Sequence, residues 1–226
     1  MSSNVQLMFQ DSFSPLMFCI SSFHDHVMVV VMMVLSVVMY VLFFSLSLNS
    51  FGRFFHKSES LEILWTVLPC LVLAFLAIPS LLTLYMVEES VKPVLTVKVI
   101  GHQWYWSYEY EDFESVEFDS YLVPLDSLEE GDFRLLEVDK KVLLPCQQEV
   151  RLIVSSSDVI HSWTVPSMGV KVDAVPGRLN QISLFANRVG LAYGQCSEIC
   201  GSLHAFMPIC VQSVSPKNFM NLIENI

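Results

Sequence analysis

The chain has 226 residues, 53% hydrophobic and 15% charged, yet its formal net charge is −11, from 12 Lys and Arg against 23 Asp and Glu. A soluble domain usually carries roughly 25% charged residues, so the composition argues against one soluble globule, and the apolar content excludes intrinsic disorder. The acidic sign argues against nucleic-acid binding, because phosphate contacts need Lys and Arg.

The two properties are segregated along the chain. Up to Val87 there are two basic residues, Arg53 and Lys57, and four acidic ones, Asp11, Asp25, Glu59 and Glu62. The remaining 139 residues account for −9 of the net charge. This pattern predicts a membrane anchor that carries an acidic folded domain.

Residues 1–26 are expected to form an N-terminal segment on the outer side. Val27 to Leu48 is 22 residues without a charge, and Ile63 to Val87 is 25 more. A bilayer core of roughly 30 Å needs about 20 apolar helical residues, so both runs can span. Transmembrane helices are predicted at 27–48 and 61–87, joined by a loop at 49–60. A buried helix of a soluble protein usually shows a polar stripe, whereas Ser36, Ser45 and Ser47 are the strongly polar side chains of the first run. Pro69 and Pro79 lie inside the second run. Membrane helices tolerate them, with kinks expected.

The loop holds Arg53, His56 and Lys57, so the positive-inside rule places it on the cytoplasm-like, matrix side and both termini outside. No Lys or Arg precedes position 53, so the N-terminus lacks a secretory n-region and the Arg-rich face of a transit peptide. Insertion then relies on the first span, which is compatible with synthesis inside the organelle.

From Lys92 the periodicity changes to strand-like alternation, beginning with Val94 to Ile100. Val142 to Ser155, Gly169 to Ala174, Gln181 to Phe185 and Pro208 to Val214 read as further strands, separated by turn clusters such as Pro176-Gly177-Arg178 and Asn187-Arg188-Val189-Gly190. Short strands with regular turn signals predict a β-sandwich or barrel over residues 88–226. Phe219 to Ile226 reads as a short terminal helix or a frayed end.

Six cysteines are present: Cys19, Cys70, Cys146, Cys196, Cys200 and Cys210. Cys196, Cys200, His204 and Met207 place four soft donors within 12 residues, bracketed by Gly194, Gly201 and Pro208 and therefore on a loop. His161 lies upstream in Asp158-Val-Ile-His-Ser-Trp, read as the end of a strand. Copper is the metal that uses Cys, His and Met together in electron-transfer sites. Two cysteines four apart can bridge a pair of copper ions, with one His for each. A Cys196–Cys200 disulfide and a structural zinc site are the competing readings.

A second feature is Gly101-His-Gln-Trp-Tyr-Trp-Ser-Tyr-Glu-Tyr, which alone reads as core and interface packing. Glu109, Glu111, Asp112, Glu114, Glu117 and Asp119 cluster at and after its end. Such a run is usually a solvated face. Beside a copper centre it gains a second meaning, an acidic patch that steers a basic electron donor.

These motifs resemble subunit 2 of cytochrome c oxidase in its animal mitochondrial form. The resemblance covers nearly the whole chain, through Gln10-Asp-Ser-Phe-Ser-Pro-Leu-Met, Phe23-His-Asp-His, the aromatic run, Asp173-Ala-Val-Pro-Gly-Arg-Leu-Asn, and Gly194 through Pro208. It implies a two-helix transmembrane hairpin followed by an all-β cupredoxin-like sandwich, in the mitochondrial inner membrane with the sandwich in the intermembrane space. It further implies a binuclear copper (CuA) centre bridged by Cys196 and Cys200. His161 and Met207 complete one copper; His204 and the Glu198 carbonyl complete the other. The Glu198 carboxylate would help hold Mg2+ shared with the catalytic subunit, in keeping with the oxygen ligands that magnesium takes. Trp104 matches the point of electron entry from cytochrome c, and Glu62 matches the entrance of a proton pathway.

Two departures from the family pattern bear on this. Phe18-Cys19 replaces a common acidic pair. Ser157 replaces an acid, which leaves Glu109, Glu114, Asp119, Asp139 and Asp158 for docking cytochrome c. Cys146 and Cys210 match no ligand position and read as buried free thiols. The spans offer no haem-ligating His set, so oxygen binding must belong to a partner, the haem-containing catalytic subunit 1 among the other oxidase subunits.

Overall fold

The computed structural model describes residues 8–47, 57–88, 92–113 and 116–224. It divides into two compact units, Cys19–Met86, and Met1–Phe18 together with Val87–Ile226.

The first unit is built from α1 (Pro15–Ser47, 33 residues) and α2 (Glu59–Glu88, 30 residues). At about 1.5 Å per residue, each is longer than a hydrocarbon core of about 30 Å. Their most apolar stretches have mean hydropathies of 2.9 and 2.4. The hydroxyls in these stretches turn inward on the helix: Ser36 donates to the Met32 carbonyl, Ser47 to that of Phe43 and Thr66 to that of Glu62. A hydroxyl satisfied this way can face lipid without an open hydrogen bond.

α1 starts at Pro15, well before the uncharged run at Val27, so the expected division at residue 26 falls inside a helix. The cause is a local start signal. The Ser14 hydroxyl accepts the Met17 N–H at 3.0 Å, and Pro15 occupies the first helical position, where its missing N–H costs nothing. α2 opens with Glu59 and Glu62 in its first turn, where the helix dipole favours acids, and its helical assignment continues through Pro69 and Pro79. Of the expected loop, Asn49 to His56, with Arg53, lie outside the described residues; Lys57 pairs with Glu59 at 2.9 Å.

Among the described residues, the second unit holds ten strands in chain order: β1 (Leu95–His102), β2 (Tyr105–Tyr110), β3 (Glu117–Ser120), β4 (Val142–Pro145), β5 (Glu149–Ser156), β6 (His161–Val165), β7 (Val170–Ala174), β8 (Asn180–Phe185), β9 (Gly190–Gln195) and β10 (Pro208–Val214). One sheet has the order β3-β2-β1-β5-β8, a second β4-β10-β9, and β6 pairs with β7. β1 runs parallel to β5 with Val97 opposite Leu152, and β4 runs parallel to β10. Alternation along β5 sends Val150, Leu152 and Val154 inward. They join Trp106, Trp163, Met168, Ile209 and Val211 in one core shared by all the sheets.

The structure sharpens several strand limits read from the sequence, and at the C-terminus the helical alternative holds. Val142 to Ser155 is two strands in different sheets: pairing with β10 runs through Pro145 to the Cys146 N–H, which donates to the Val214 carbonyl, and Gln147 then adopts a left-handed φ of 58° that turns the chain into β5. The acids Glu117 and Asp119 lie on β3, and the turn cluster at Gly190 opens β9. The C-terminal segment is a helix, α3 (Pro216–Ile223), capped by Ser215 and anchored by the buried Phe219 and Ile223.

Residues ahead of α1 belong to this domain. Phe13 N–H donates to the Ser167 carbonyl at 2.7 Å, the Phe13 carbonyl accepts the Asn187 N–H, and Arg188 lies over the Phe13 ring. The chain on either side of the helical pair therefore meets in one folded unit.

Candidate metal centre

The β9–β10 connection carries Cys196, Cys200, His204 and Met207, and His161 enters from the first position of β6, at the end of a strand as expected. The two sulfurs lie 4.0 Å apart and both thiols are free. A disulfide would need about 2.05 Å. Cys196 Sγ is 3.9 Å from His161 Nδ1 and 3.4 Å from the Glu198 carbonyl. Cys200 Sγ is 3.6 Å from His204 Nδ1 and 3.6 Å from Met207 Sδ. His161, Cys196, Cys200 and Met207 are buried, while His204 is partly exposed. Every donor of the family pattern thus converges on one spot.

The electrostatics of the two thiols differ. Burial pushes Cys196 up, but its hydrogen bonds with His161 and with the backbone at Ser162 and Glu198 outweigh this and bring it to about 7. Burial, reinforced by the neighbouring Cys196, pushes Cys200 up to about 12. Two thiolates this close repel, so both ionise only around a cation. Two sulfurs, two imidazoles, a thioether and a carbonyl suit copper and are a poor set for zinc.

The surroundings hold the ligands in place. Asp158 Oδ1, 2.8 Å from His161 Nε2, can take its proton, which makes Nδ1, the nitrogen facing Cys196, the one available to a metal. Burial alone would lower the His161 pKa, yet Cys196 and Asp158 hold it above its ordinary value. A Cβ on Gly101 would come within 2.9 Å of the His161 ring, and one on Gly194 within 1.8 Å of the Thr164 carbonyl oxygen, so both glycines permit close backbone approach. Trp106, fully buried, donates its indole N–H to the Met207 carbonyl at 3.3 Å and meets the His161 ring edge-on. The supporting roles of Trp106, Asp158 and the two glycines were invisible in the sequence, because residues so far apart in the chain gave no sign that they meet.

Trp104 sits at the β1–β2 turn, its ring 3.0 Å from where a Gly201 Cβ would lie. Asp119 and Asp139 flank Tyr121: Asp119 accepts from the Tyr121 hydroxyl and Asp139 from its N–H. A stacked row His102–Tyr105–Tyr121 connects that pair to Ser157, whose hydroxyl is 2.7 Å from His102. Glu109 is paired with Lys98 at 2.5 Å, so its charge is largely offset. Glu114 lies outside the described residues. Glu198 and Ile199 are exposed at the loop tip, Ile199 at 84%, and Leu203 and Phe206 are exposed beside His204. Glu62 lies in the first turn of α2. Cys146 and Cys210 are buried, as expected, and burial pushes the Cys210 thiol up to about 12.

Residues 95–214 match the family model for the periplasmic domain of cytochrome c oxidase subunit II, and residues 2–83 match the model for its transmembrane domain. Cytochrome c oxidase subunit 2 of Choristoneura rosaceana is 52% identical over 217 residues, covering 96% of this chain and 95% of the relative. The subunits 2 of Sympetrum striolatum and Drosophila yakuba are each 50% identical, covering 100% of this chain and 99% of theirs. Among solved structures, the periplasmic domain of subunit II of cytochrome oxidase from Bradyrhizobium japonicum aligns with a TM-score of 0.56 and 44% identity, over 61% of this chain and 96% of that one. A mixed disulfide between a thioredoxin-like protein and subunit II of cytochrome c oxidase contains a chain that aligns at 0.53 with 43% identity, over 61% and 93%. With two membrane-length helices, a cupredoxin-like domain and a Cys/His/Met cluster, the chain belongs to the subunit 2 family of cytochrome c oxidase.

Proposed function

We propose that this chain receives electrons from cytochrome c at a binuclear copper centre and passes them to the haem of catalytic subunit 1, where oxygen is reduced to water with proton pumping. The observation that carries this reading is the convergence of Cys196, Cys200, His161, His204 and Met207, with the two sulfurs 4.0 Å apart. Cys196 and Cys200 would hold both ions. His161 with Met207, and His204 with the Glu198 carbonyl, would complete one each. When bound, the copper pair supplies a one-electron relay whose charge is shared between two rigidly held ions.

The protein's own part is positional and electrostatic. Asp158 orients His161, Trp106 fixes the Met207 carbonyl, and burial of four of the five side chains excludes water. The contact of the Trp104 ring with Gly201, next to Cys200, supports Trp104 as the entry point. Docking of a basic donor is assigned to Asp119, Asp139 and Asp158 and, on the sequence resemblance, to Glu114 and to Glu109, whose charge Lys98 largely offsets. The exposed Ile199, Leu203 and Phe206 around His204 favour a cover by the catalytic subunit. A lone exposed Glu198 carboxylate suits a Mg2+ whose other oxygen ligands come from that partner. Glu62, in the first turn of α2, is assigned the proton-pathway entrance. The setting is the mitochondrial inner membrane, with the domain in the intermembrane space.

Metal analysis and electron paramagnetic resonance of the purified oxidase test this. The expected result is two coppers per chain with coupling to both nuclei, lost in Cys196→Ser. A single-copper signal, or zinc in place of copper, overturns it.

A further inference from the structure

Gln103 is exposed at the tip of the β1–β2 turn, yet its main chain and its side chain are both engaged. Its backbone N–H donates to Asp158 Oδ2 at 2.7 Å, while Asp158 Oδ1 lies 2.8 Å from His161 Nε2. Its side-chain Nε2–H donates to the Cys200 carbonyl at 2.7 Å. One residue therefore joins the strand that carries His161 to the loop that carries Cys200, although the two ligands are far apart in the chain.

The loop needs such a tie. Among the described residues one backbone bond ties it to β6, at the Cys196 end (Ser197 N–H to the Ser162 carbonyl at 3.0 Å), and towards Cys200 its own backbone bonds are few: His204 N–H to the Gly201 carbonyl at 3.3 Å and Phe206 N–H to that of Leu203. Among the described residues, the side chains outside the loop that hydrogen-bond its carbonyls are Gln103, at Cys200, and Trp106, at Met207. Gly201, at φ +131°, lets the turn come this close, since a Cβ there would lie 3.2 Å from Gln103 Nε2.

We infer that Gln103 is a positioning residue for the metal centre: its amide holds the Cys200 end of the loop at a set distance from the Asp158–His161 pair. This rests on the binuclear copper reading. A surface glutamine beside Trp104 would otherwise be assigned to partner docking alone, and the two roles separate experimentally. Gln103→Leu removes the donor and leaves the backbone N–H to Asp158. Gln103→Asn keeps an amide one methylene too short. Gln103→Lys keeps a donor of sufficient reach but places a positive charge against a basic partner.

The test uses the intact oxidase, with three readouts: the copper resonance spectrum, the rate of copper loss to a chelator, and KM for cytochrome c. In Gln103→Leu and Gln103→Asn the copper hyperfine pattern shifts and copper is lost about tenfold faster, as for outer-shell partners of metal ligands, with KM little changed. Gln103→Lys keeps the spectrum and raises KM. Wild-type spectra and chelation rates in both Leu and Asn variants, with only KM altered, overturn the inference and leave Gln103 a docking residue. Absence of a two-copper signal from the wild-type oxidase would instead overturn the underlying reading.

Discussion

Gly194→Ala adds one methyl where the chain has no room. The new Cβ would lie 1.8 Å from the Thr164 carbonyl oxygen, 2.9 Å from its carbon and 3.2 Å from Val165 Cα, all of them backbone atoms of β6. Reaching an ordinary contact of 3.4 Å requires β9 and β6 to part by about 1.6 Å at this point. No side-chain rotation relieves the clash, so the cost belongs at the upper end of overpacking, about 3 kcal/mol. Gly177→Ala is the control. It has φ +75° and nothing within 4 Å of its Cβ, so only the left-handed backbone penalty of about 1 kcal/mol applies. In a domain of this size about 1 kcal/mol shifts Tm by roughly 4 °C, so the expected losses are about 12 and about 4 °C. Thermal unfolding of the full chain, which keeps Phe13 in the β-domain core, measures both. Because β9 leads directly into Cys196, Gly194→Ala should also broaden the copper spectrum while Gly177→Ala leaves it intact. Equal Tm losses in the two variants would refute the reasoning.

Asp158→Ala frees the His161 ring and is expected to weaken copper retention about 10- to 100-fold, read by chelator competition; unchanged retention would show that packing against Gly101 orients the ring by itself. Asp119→Asn combined with Asp139→Asn should lower kcat/KM for cytochrome c and flatten its decline with salt, since charges screened over about 8 Å at physiological ionic strength no longer steer the donor. A wild-type salt profile in that double variant would move docking elsewhere. Copper uptake by metal-free domain should release protons with a definite pH dependence. Cys196, depressed to about 7, is protonated at low pH and ionised at high pH; Cys200, raised to about 12, gives up a proton throughout. Proton release per site therefore falls by at least one between about pH 5.5 and about pH 8.5. The same signs apply to stability without metal. The depressed Cys196 stabilises the fold above its unfolded pKa near 9, and this is lost as pH falls through about 7.

The sequence by itself determined the division into a membrane anchor and an acidic β-domain, because hydropathy and charge are one-dimensional properties that survive without coordinates. It also exposed the Cys196-to-Met207 loop, whose donors lie close in the chain, and, by resemblance, named His161 as their remote companion. Strand limits were less legible. Gln147 breaks what reads as one apolar run, since a buried strand shows the same β-branched composition in either sheet. The start of α1 was written in Ser14-Pro15 but masked by the stronger signal of the uncharged run. Only the tertiary structure decided what supports the site. Gln103, Asp158 and Trp106 reach the metal loop across folded distance, and Gly101 and Gly194 matter through the atoms that approach them. Such contacts arise when sheets close over one core, and no local pattern of residues encodes which carbonyl a distant amide will meet.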